Sequence, residues 1–174
     1  MEFRMTAVPL SSSRPKTVSA HPAAEADAAA LARVAQLLDA GRPDEARAFI
    51  LRHKPIDPVL NNALGVCLLR LGQTEAAMKM FRGMALGQGG VTLRSDVPDV
   101  VKTNFATSLL LMGEVAGCQS ALSEVRDESD LNARRLQEAV RKWIRGLSPW
   151  QKMNWYLGGQ VNKPVTLDFP PGVI

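Results

Sequence analysis

An all-α fold of paired helices is what this sequence predicts, and three observations carry the prediction. Ala and Leu abound while aromatic residues make up only 5% of the 174 positions. Such a composition suits closely packed helices better than a sheet, which draws on β-branched and aromatic side chains. Apolar residues recur at three- and four-residue intervals along most of the chain from residue 27 onward. Glycines stand at the ends of these runs, at Gly41, Gly72 and Gly113, where a left-handed residue commonly ends a helix.

Residues 1–26, with Ser11–Ser13, Pro9, Pro15 and Pro22 and almost no apolar periodicity, read as a disordered or loosely attached arm. A first helix then follows from Asp27 as N-cap, with Leu31, Val34, Leu37 and Leu38 on one face and Gly41 as its stop. After Arg42–Pro43, Ala46, Phe49 and Ile50 mark a second helix. Asp57–Pro58 is an N-cap followed by Pro at the first helical position, opening a helix through Leu71. Its partner runs through TEAAMKMFRGMAL. The stretch 87–98, GQGGVTLRSDVP, is an irregular and flexible connector. Helices are then expected from Pro98 to Met112, from about Val115 to Val125, and from Leu131 to Ile144. Residues 147–174 read as an irregular tail packed on the domain, richer in aromatics (Trp150, Trp155, Tyr156, Phe169) than the rest of the chain.

Aligning the chain on Gly41, Gly72 and Gly113 brings out a repeat. Leu37, Leu68 and Leu109 lie four residues upstream; Val34, Gly65 and Ala106 lie seven upstream. Ala46, Ala77 and Cys118 lie five downstream, and Ile50, Phe81 and Leu122 nine downstream. Small residues on either side of the turn let two helices approach, and the larger ones interlock between them. Gly65 costs the helix about 1 kcal/mol relative to Ala, so close approach of a partner is the reason for it.

These positions, best formed in residues 58–91 with Leu64–Gly65, Leu68, Gly72, Ala77 and Phe81, resemble the tetratricopeptide repeat (TPR) family in its small bacterial type. The likeness covers about residues 27–146. It implies a right-handed α-α superhelix of three TPR-like helix pairs, with residues 131–146 as capping helix. It also implies a concave groove lined by the first helix of each pair. The family geometry places Asn62, Val66, Leu69, Arg70, Thr103, Thr107 and Leu110 in that groove as partner-binding residues. Of the positions that match the family's carboxylate clamp, Leu31, Ala35, Asn62, Val100 and Asn104, only Asn62 and Asn104 are polar. The clamp's specific activity is therefore not expected.

Other chemistry is sparse in the sequence. A net charge of +4 falls well short of a dedicated nucleic-acid binder. Cys67 and Cys118 cannot make a disulfide framework or a four-ligand zinc site, and read as buried reduced thiols. No apolar stretch reaches the roughly 20 residues of a membrane span, and MEFRMTAVPLSSSRPK has no signal-peptide core, so the cytoplasm is the expected compartment. His21 and His53 fit no metal or catalytic motif, and GQGG lacks the Gly-Lys-Ser/Thr of a phosphate loop. The expectation is a non-catalytic adaptor without metal or cofactor, a monomer or weak homodimer, binding a peptide or helix of a protein partner. Two alternatives stand beside it. One is an RNA- or membrane-associated adaptor using the basic 134–145 face (Arg134, Arg135, Arg141, Lys142, Arg145), and the other an accessory subunit of an enzyme with its site at 87–98.

Overall fold

A computed structural model describes residues 22–53, 57–87, 90 and 92–174, and among these the chain is all-helical. Eight helices follow one another: α1 (Pro22–Asp39), α2 (Pro43–Arg52), α3 (Pro58–Arg70), α4 (Thr74–Ala85), α5 (Asp99–Leu111), α6 (Val115–Ser123), α7 (Leu131–Arg145) and α8 (Pro149–Tyr156). Consecutive helices pack through α7, and odd helices also touch the next odd one: α1 on α3, α3 on α5, α5 on α7. The result is two layers, with α1, α3, α5 and α7 side by side and α2, α4 and α6 behind them. Eighteen residues of helix at α1, and never more, leave no described helix long and apolar enough to cross a membrane.

The turns obey the glycine logic. Gly41, Gly72 and Gly113 have φ of +69°, +72° and +83°, so a side chain there would be strained although space is open around each. Asp57 caps α3 by accepting from the Val59 N–H at 2.8 Å, with Pro58 at the first helical position. Gly65 meets its expected partner. A Cβ built on it would fall within 2.7 Å of Phe81 Cε1 and closer still to Cζ. The tip of the Phe81 ring, fully buried, reaches the α3 backbone because no Cβ stands in its way. Val34, Ile50, Ala46, Ala77, Ala106, Cys118, Leu37, Leu68, Leu64 and Leu122 are all buried as the repeat requires, with Leu109 partly so.

Several expectations need correction. Helix α1 begins at Pro22, so Asp27 lies inside it and is no N-cap; Ala23, Ala24 and Ala26 extend the helix without needing an apolar stripe. The rest of the expected arm, His21 included, lies outside the described residues. The 87–98 connector is clasped at its base, where Leu86 and Leu93 form an antiparallel bridge and Arg94 N–H donates to the Ala85 carbonyl at 2.9 Å. The capping helix ends on Gly146 without the left-handed turn of the three pairs before it, its φ being −79°. The tail is not irregular throughout: Ser148 and Gln151 form a capping box and Pro149 takes the first helical position, so α8 forms.

Candidate functional site

The side of the α3–α5–α7 layer that faces away from the even helices carries most of the expected groove residues, and it is covered. Beyond α8 residues 160–167 run without helix, turn or bend, the chain bends at 168–169 and 171, and it passes back across α7 and α5 to α3. Exposure alternates strictly along it: Val161, Lys163, Val165, Leu167 and Phe169 are half-buried, while Asn162, Pro164, Thr166, Asp168 and Pro170 are exposed. This is the period-two pattern of a strand, yet among the described residues no strand pairs with it. Side chains of the helices take the place of a neighbouring strand. Trp143 Nε1 donates to the Lys163 carbonyl at 2.9 Å. The Arg135 guanidinium sits 5.9 Å from the centre of the Phe169 ring, and Lys142 pairs with Asp168 at 3.6 Å.

The firmest hold is at Val173. Asn104 on α5 donates from Nδ2 to the Val173 carbonyl at 2.7 Å and accepts the Val173 N–H at Oδ1 at 2.9 Å. A carboxamide carries one acceptor and one donor group side by side, which matches the N–H and C=O of a single residue, here Val173. Asn62 on α3 adds a 3.3 Å bond from its Nδ2 to the same carbonyl, and accepts from Asn104 Nδ2 at 2.8 Å. Arg70 donates to the Leu38 carbonyl at 3.0 Å and to the Gly172 carbonyl at 3.4 Å, while its Nε is buried with no acceptor among the described residues. Gly172, at φ +81°, presses on Val66 and Leu69: a Cβ there would lie 3.1 Å from both Val66 methyls and 3.2 Å from Leu69 Cδ1.

Of the expected groove residues, Asn62, Val66, Leu69 and Arg70 thus meet one short stretch, Gly172–Val173. The others are turned to different tasks. Thr103 Oγ1 donates to Asp130 at 2.9 Å, and the same Asp130 caps α7 through the Asn132 N–H. Thr107 Oγ1 donates to the Thr103 carbonyl at 2.8 Å, and Leu110 is fully buried. The seven residues do not line an open groove: α7 and the extended segment fill it.

Asn104, noted in the sequence only as a polar clamp position and not among the seven groove residues, is the residue that the structure makes central. A second signal for it lies in the helix that carries it. Helix α5 carries Lys102, Thr103, Asn104, Thr107 and Ser108 all around its axis, and all five are buried. Buried polar groups need partners, so such a helix must sit among polar neighbours. Lys102 reaches Asp99 and the Glu124 carbonyl, each at 2.9 Å. Burial pushes the Asp99 carboxyl up, but bonds from Lys102 and from the Asp127 and Arg126 N–H groups hold it below the usual range.

Elsewhere the chemistry is thin. A cleft of about 680 Å³ between the α5–α6 turn and residues 158–165 has Glu114 and Lys163 as its ionisable lining. Among the described residues no three His, Cys, Asp or Glu side chains gather as a metal would require. His53 ends α2, with Nδ1 2.9 Å from the Phe49 carbonyl. Comparison with family models, curated proteins and solved structures returns no match.

Proposed function

We propose that this chain is a non-catalytic interaction module. It is a TPR-like right-handed stack of three helix pairs capped by α7, and it holds an extended segment of a protein partner on the α3–α5–α7 face. Residues 160–174 occupy that face in the absence of the partner. The observation that carries the reading is the two-point grip of Asn104 on the Val173 main chain. It recognises a backbone in extended conformation whatever its side chains, as peptide-binding surfaces do when they substitute for a sheet edge. The packing of each odd helix on the next, and the left-handed glycines closing each pair, support the stack.

A tethered segment competes at about millimolar effective concentration. A partner therefore gains the face by binding more tightly than the tail, or by adding contacts outside its footprint. The test uses a labelled peptide of residues 160–174 and the full chain. Val173→Pro removes the N–H that Asn104 accepts and should loosen the tethered segment. The variant is expected to bind the peptide at least roughly tenfold more tightly than wild type, and adding Asn104→Ala should abolish the gain. If the Val173→Pro chain stays folded and takes up no peptide, the face is a structural contact and the reading fails.

A further inference from the structure

Helix α8 presents a face that nothing among the described residues covers. Trp150, Met153, Tyr156 and Leu157 are 73%, 46%, 75% and 78% exposed. Half of the large apolar side chains exposed among the described residues lie within residues 150–157, on α8 and its C-cap. Positions 150, 153 and 157 follow one another along one side of the helix, with Tyr156 beside Met153. Trp155, on the opposite side, anchors α8 to the domain by an edge-on contact with Trp143, ring centres 5.3 Å apart. The capping box fixes the start of the helix and Gly158, at φ +82°, its end. The patch is thus held in place, and binding needs no further ordering of the chain.

The segment that carries α8 is rich in cations, and on the preceding helix α7 Arg135, Arg141, Lys142 and Arg145 outnumber Glu138 and Asp168 in the cleft they share. Between Glu138 and Asp168 the sequence has no carboxylate and five cations, Arg141, Lys142, Arg145, Lys152 and Lys163. Lys142 pairs with Asp168, and Lys163 donates to the Gly146 carbonyl. Arg141, Arg145 and Lys152 form no ion pair among the described residues.

We propose that the exposed face of α8 docks this protein on an anionic lipid surface, with Trp150, Met153, Tyr156 and Leu157 entering the headgroup region and the neighbouring cations meeting lipid phosphates. Trp and Tyr suit that boundary because their rings are apolar with one polar edge, and basic residues beside an apolar face add attraction to anionic lipid. A stacked nucleic acid fits less well, since Met153 and Leu157 offer no π-face to a base. The proposal is independent of what occupies the α3–α5–α7 face.

The test is flotation of the full chain with vesicles of phosphatidylcholine alone and of phosphatidylcholine with phosphatidylglycerol. The chain should float with the mixed vesicles only, and less as salt is raised. Trp150→Ser/Leu157→Ser, on an exposed face, should keep the helical spectrum and lose roughly tenfold or more of the binding. Trp150→Phe should keep binding while losing most of the fluorescence quenching by brominated lipid. No flotation with the mixed vesicles, equal flotation with neutral ones, or undiminished flotation of the double variant overturns the proposal. So does finding, without lipid binding, a dimer or a single-stranded RNA complex that the double variant abolishes.

Discussion

The contact between Gly65 and Phe81 gives the sharpest test of how the helices are pressed together. Gly65→Ala adds one carbon to α3. By itself that change favours a helix by about 1 kcal/mol. Here the new Cβ would stand within 2.7 Å of Phe81 Cε1 and 3.0 Å of Cε2, against an ordinary contact of about 3.5–4.0 Å. Cζ lies closer still, so relief requires the ring or the whole of α4 to move by about 1 Å or more. The ring is fully buried, with nowhere to swing. Overpacking of this kind costs about 1–3 kcal/mol, so the net effect is a loss of about 0–2 kcal/mol. Shortening the ring separates the two terms. Phe81→Leu alone should destabilise, by something of order 1 kcal/mol or more, through lost contact and an unfilled space. In that background Gly65→Ala should turn stabilising, because the helix gain survives and the clash does not. Urea unfolding followed by circular dichroism, on the four chains of the cycle, reads the coupling as about 1–3 kcal/mol. If Gly65→Ala changes stability by the same amount in the wild-type and Phe81→Leu backgrounds, the packing argument is refuted.

Other consequences are open to measurement. Asn104→Ala leaves the Val173 N–H without its acceptor and its carbonyl with only the long Asn62 bond. The loss, about 1–3 kcal/mol, should fall on the docking of residues 160–174, so their amide exchange should speed up while α3 and α4 stay protected; unchanged exchange at Val173 would count against it. The Asp99 carboxyl is held below its ordinary value by Lys102 and two N–H groups despite its burial. Its stabilising contribution is therefore complete above about pH 4 and disappears as pH falls through the lower folded value; the acid limb of a stability profile should flatten in Asp99→Asn, and an identical limb would contradict the assignment. Burial pushes the Cys67 thiol up to about 11, partly opposed by Arg70, and the Cys118 thiol up to about 12. Both should resist iodoacetamide at pH 8 in the folded chain and react in urea; rapid alkylation of either in the native state would show that its helix opens.

The sequence by itself determined the helices, their turns and the pressed contact. Those features are local: a left-handed residue, a cap or an apolar interval is legible wherever it stands. Gly65 could be assigned a close neighbour because a glycine in a helix interior has a cost that only packing offsets. The start of α1 and the existence of α8 were legible too, in an alanine-rich run after Pro22 and in Ser148–Pro149–Trp150–Gln151, but those signals do not depend on apolar periodicity, and a search for apolar stripes passes over them. The tertiary structure alone decided what covers the α3–α5–α7 face. The alternation V-N-K-P-V-T-L-D-F-P in residues 161–170 goes with a tail lying one side down, yet period two says nothing of the surface beneath. That surface is set by bonds spanning 69 residues at Asn104 and 111 at Asn62. Pairing at such distances depends on how seven helices place their side chains in space, and no interval along the chain records it.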